Sequence, residues 1–90
     1  MKVKFFGSAT TINGVAMQSL GQELTLADEA TARAAARSGA AILPSVMFDE
    51  VNLTPEEVIN YPKPSDVFNA PVEFRDKIQM LKMLQAQWLI

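Results

Sequence analysis

Thr10-Thr11-Ile12-Asn13-Gly14-Val15-Ala16-Met17 decides how the first half of this chain folds. Asn-Gly between two β-type runs is the strongest short hairpin signal, because both central residues of the tight turn must tolerate positive φ. Working outward, Val3 and Phe5 alternate with Lys2, Lys4 and Phe6 as a half-buried strand does. Downstream, Gly21 supplies a sharp turn before Glu23-Leu24-Thr25-Leu26, where Leu24 and Leu26 share one face.

Asp28 reads as the N-cap of a helix that runs to about Ser38. The body of that helix is nearly all alanine (Ala30, Ala32, Ala34, Ala35, Ala36), which lets it sit close on a sheet. Arg33 and Arg37 complement the negative end of its dipole, and Gly39 suits the left-handed residue that follows. Ala40-Ala41-Ile42-Leu43 then returns as a last strand, halted by Pro44. Residues 1–44 therefore read as a small β/α module, a β-hairpin and sheet with one Ala-rich helix, of the α+β class.

Residues 45–70 read as an extended arm. Ser45 to Leu53 has apolar residues but no clean period. Thr54-Pro55-Glu56-Glu57 is a strong helix start, with Thr54 as N-cap, Pro55 at the first helical position and Glu57 completing a capping box. Pro62 limits that helix to about residues 55–60. Tyr61-Pro62-Lys63-Pro64 and Asn69-Ala70-Pro71 bracket a stiff segment, which at up to about 3.3–3.6 Å per residue could cross a neighbouring subunit.

Residues 71–90 form the longest helix candidate, with Pro71 at its first position. Phe74, Ile78, Leu81 and Trp88 fall on one stripe, Met80, Met83 and Leu84 widen it, and Gln85 interrupts it. That stripe has two possible homes, the chain's own sheet or the surface of another chain. Two considerations favour the second. A proline-rich spacer separates the helix from the first module, and the energy margin is thin. Burial of about 64% of the unfolded surface yields roughly 137 kcal/mol of apolar transfer, against roughly 135 kcal/mol for ordering the residues. The expected interface residues are Phe74, Ile78, Leu81, Leu84 and Trp88, with Phe74 and Trp88 as aromatic anchors.

Composition narrows the chemistry. With 90 residues and neither histidine nor cysteine, the chain offers no imidazole base, thiol nucleophile, Cys/His zinc site or disulfide. Eight basic against ten acidic residues, scattered along the chain, argue against binding a phosphate backbone. No apolar run approaches a membrane span, and Val3-Phe5-Phe6 is too short for a signal-peptide core. The carboxylate pairs Asp28/Glu29, Asp49/Glu50 and Glu56/Glu57 are explained by capping and solubility, and none of the serines has a base beside it in sequence. No catalytic residue, cofactor or metal site is expected, nor any direct nucleic-acid or membrane partner.

Several strings resemble small proteins encoded in tailed-bacteriophage structural gene clusters. They are Lys2-Val3-Lys4-Phe5, Ile12-Asn13-Gly14-Val15, Gly21-Gln22-Glu23-Leu24-Thr25-Leu26, the Ala-rich helix begun by Asp28-Glu29-Ala30, and Gly39-Ala40-Ala41. Leu53-Thr54-Pro55-Glu56-Glu57 and Ala70-Pro71-Val72-Glu73-Phe74 are similar to such chains too. The resemblance implies a non-enzymatic virion component, made in the host bacterial cytoplasm and working near the capsid, the portal or the head–tail junction. Its partners would be coat, portal or connector subunits, or copies of itself. The competing expectation is a free-standing homodimeric binding or regulatory module paired through the last helix.

Overall fold

The computed structural model describes the backbone of residues 1–90 and all side chains except those of residues 64–66, so Pro64 and Ser65 of the expected arm carry no side-chain description. Strands β1 (Lys2–Phe5), β4 (Glu23–Thr25) and β5 (Ile42–Pro44) form an antiparallel sheet in the order β4-β1-β5. Strands β2 (Thr10–Ile12) and β3 (Val15–Met17) form a separate hairpin. Its turn is the one the sequence announces: Asn13 and Gly14 both adopt positive φ, +51° and +79°. The chain is thus α+β.

Helix α1 (Glu29–Arg37) begins where expected, with the Asp28 carboxylate accepting from the Thr31 amide at 2.8 Å. Its buried positions are Ala32 and Ala36, the small residues that allow close approach. Gly7 marks another close approach, since a Cβ there would stand 2.6 Å from that of Ala41. In the three-stranded sheet, Val3, Leu24 and Pro44 share one face by register and Lys4, Glu23 and Leu43 the other.

Beyond Pro44 the structure departs from the expected arm. Residues 45–70 hold the expected short helix, α3 (Pro55–Asn60), but also α2 (Ser45–Asp49) and a 3-10 turn (Pro64–Asn69), and do not form an extended spacer. Phe48 and Val51 are buried in the common core. Helix α2 lies on the Lys4 side of the sheet, where the Lys4 ammonium reaches the Asp49 carboxylate at 2.6 Å and stands over the Phe48 ring at 5.7 Å. Helix α3 carries the full Thr54/Glu57 capping box. The Leu20 amide donates to the Pro62 carbonyl at 2.8 Å, pinning the proline-rich stretch to the first module. The prolines delimit short helices instead of extending the chain.

Helix α4 (Val72–Trp88) starts one residue later than expected, with Pro71 at the N-cap position. It packs against β5 and completes the core, contributing Phe74, Ile78, Leu81 and Trp88. The radius of gyration is 12.2 Å, and a single packed body of this length has about that value. The chain is one unit, not a module, an arm and a docking helix.

Candidate interaction surface

The residues expected at an interface lie inside the chain. Phe74 is 1% exposed and stacks its ring centroid 4.6 Å from that of Tyr61, while Leu81 is fully enclosed. Ile78 is buried and Leu84 half-buried against the same core. Trp88, 7% exposed, lies beneath the Arg33 guanidinium of α1, 5.8 Å from ring centroid to guanidinium carbon. Arg37 donates to the Leu89 carbonyl at 3.1 Å, fastening the end of α4 to α1. The stripe therefore finds its home on the chain's own sheet. The Leu20–Pro62 hydrogen bond and the burial of Ala70 hold the intervening segment to the same body.

Gln85, which breaks the apolar stripe, has a definite task. Its amide donates to the carbonyls of Ala40 at 2.8 Å and Ile42 at 3.1 Å, covering the outer edge of β5. A polar side chain in an apolar stripe is what an exposed row of carbonyls needs.

The opposite face of α4 is mixed, with three exposed apolar residues set among Arg75, Asp76, Gln79 and Lys82. Val72 and Met83 are eleven residues apart, about three turns, so they lie on one line along the outside of the helix, with Met80 beside it. All three are exposed, Met83 at 55%. Past the end of the helix Ile90 is 99% exposed, and on the 3-10 turn Phe68 is 88% exposed. Single apolar side chains in water are ordinary; three on the outside of one helix make this the candidate contact surface. The same helical periodicity that marks the inner face places these residues on the outside. This placement was obscured because Met80 and Met83 read as a widening of the inner stripe.

At least one member of each carboxylate pair is occupied locally. Asp28 caps α1, Glu29 pairs with Arg33 at 2.6 Å, Asp49 with Lys4, and Glu57 with Thr54 and Lys77. Among the described residues no cluster of three or more metal-ligating side chains occurs, and no helix is long and apolar enough to cross a membrane. A cleft of about 570 Å³ opens between the hairpin and the turn after α1, lined by Thr10, Thr11 and Ser38, with Ala9, Ala35, Ala40 and Ala41 as its accessible apolar surface. Comparison with known proteins finds no matching family model, no matching curated protein and no matching solved structure.

Proposed function

We propose that this chain is a minor, non-enzymatic structural component of a tailed-phage virion that bridges neighbouring subunits of the capsid or the portal and connector. The motif resemblance supplies the virion context. The supporting observation in the molecule is the outer face of α4, where Val72, Met80 and Met83 stand in solvent on a chain whose own core is already complete. Methionine suits such a surface because its flexible, polarizable side chain adapts to a partner. The contact is made by a rigid face, with the inner residues Phe74, Ile78, Leu81 and Trp88 holding the helix in place.

The test is mass spectrometry of purified particles of the phage that encodes the chain, paired with sedimentation of the isolated protein. The reading predicts a fixed copy number in the particle and a monomer in isolation. Absence from particles while the chain accumulates in infected cells contradicts it. A stable dimer that Met83→Lys dissociates points instead to a free-standing homodimer joined through the same face.

A further inference from the structure

Four strand edges are open to the outside in this fold, and three are guarded. On β5 the Gln85 amide covers the carbonyls of Ala40 and Ile42, and Pro44 has no N–H to leave unpaired. On β3 the Gln22 side chain donates to the Ala16 carbonyl at 2.9 Å. On β4 the outward positions fall at Glu23 and Thr25, where the Glu23 charge deters strand pairing. The remaining edge belongs to β2.

The register fixes which groups that edge presents. The two-residue turn closes on Ile12 and Val15, so that pair and Thr10–Met17 exchange hydrogen bonds, while Thr11 and Ala16 form the intervening pair. Both backbone groups of Thr11 then point away from β3, just as the Ala16 carbonyl points away from β2 to meet Gln22. No hydrogen bond among the described residues uses the Thr11 amide or carbonyl. The 570 Å³ cleft lies on this side of the hairpin, since its lining includes Thr10, Thr11 and Ile12 and no residue of β3. The cleft is lined by hydroxyls, small side chains and backbone, without a charged side chain.

We propose that this cleft receives a single extended, uncharged polypeptide segment of another protein, added to the free edge of β2 as the third strand of the hairpin. A two-stranded ribbon is marginal by itself, and a third strand is what stabilises one. Strand addition draws its affinity from main-chain hydrogen bonds and its selectivity from alternate side chains. Here the small side chains of Ala9, Ala35, Ala40 and Ala41 leave room for small or apolar residues on one side of the segment. Charged side chains would be desolvated there without a partner. A second copy of this chain is the wrong occupant. Ser38 and Ala40 line the side that β2 would have to present, so edge-to-edge pairing of two copies would interpose both of their α1 turns. This inference stands apart from the virion reading, since it concerns a different surface from the outer face of α4.

The experiment selects binders to the full chain from a random seven-residue peptide display library, then measures amide hydrogen exchange with a selected peptide. The expected peptides are uncharged and slow exchange at the Thr11 amide at least tenfold. Thr11→Pro, which removes the outward N–H without costing a hairpin bond, weakens binding at least tenfold, whereas Thr11→Val retains it. No enrichment, peptides indifferent to Thr11→Pro, or a Thr11 amide already protected in the free chain would each overturn the proposal. So would self-association of the chain that Thr11→Pro abolishes.

Discussion

Lys77 Nζ lies 2.7 Å from Glu57 Oε1 and 3.1 Å from the Asn52 carbonyl, so one ammonium ties α4 to α3 and to the loop before it. Both partners are only partly exposed, at 26% and 16%. Lys77→Met should therefore destabilise the chain by about 1 kcal/mol, less than a fully buried pair would cost and more than a surface one. Thermal unfolding would register this as a fall of about 4–8 °C. An unchanged midpoint would mean that the two helices are not joined there.

The same contact sets an acid limit. Burial pushes the Glu57 carboxyl up, but the Lys77 ammonium and the Thr54 amide and hydroxyl together hold it below its ordinary value of 4.5. The Thr31 amide and hydroxyl likewise hold Asp28 below 3.8. With folded values depressed, the unfolded chain binds more protons in that window, so stability rises with pH there. The contribution is complete above about pH 5 and is lost as pH falls through the lowered folded values. Urea midpoints measured between pH 7 and pH 3 should stay flat at first and then fall, and Glu57→Gln should flatten part of the acid limb.

Gly7 is required by space rather than by turn geometry. A Cβ at that position would meet the Ala41 Cβ at 2.6 Å, and neither atom is the end of a flexible side chain. Gly7→Ala is expected to cost about 1–3 kcal/mol through overpacking. Ala41→Gly in the same chain should restore part of the loss, a coupling that a double-mutant cycle reads directly. Purely additive costs would contradict the contact.

Local signals in the sequence were legible because they depend on neighbours in the chain. The Asn13-Gly14 turn, the Asp28 cap, the Thr54/Glu57 box and the inner stripe of α4 all stand as read. What the stripe rests on was not legible, because that depends on a long-range contact between α4 and β5. Two misreadings followed from it. Pro62, Pro64 and Pro71 suggest a stiff segment that carries the helix outward, yet Pro62 and Pro71 stand at helix boundaries, and the Leu20–Pro62 hydrogen bond holds the chain in. Gln85 looked like a defect in the stripe until the carbonyls of Ala40 and Ile42 stood beside it. The free edge of β2 could not be seen either, since openness is a property of what fails to pair.

The outer face of α4 separates contact from stability. Met83→Lys changes a solvent-exposed side chain and should leave the unfolding free energy within about 0.5 kcal/mol of the parent. Under the virion reading the same variant is excluded from particles, whereas Glu56→Ala, on an exposed position of α3, is incorporated normally. Normal incorporation of Met83→Lys would remove this face from the account.

The account turns on α4 being part of the chain's own core. Native-state hydrogen exchange on the isolated, full-length protein tests that most directly, comparing amides of Ile78–Leu84 with those of Val3 and Leu43. The prediction is that all of them open together, with the same free energy and the same denaturant dependence, as one cooperative unit does. Exchange in α4 a hundredfold or more faster than in the sheet, with the sheet's protection intact, would show a detachable helix and contradict the account.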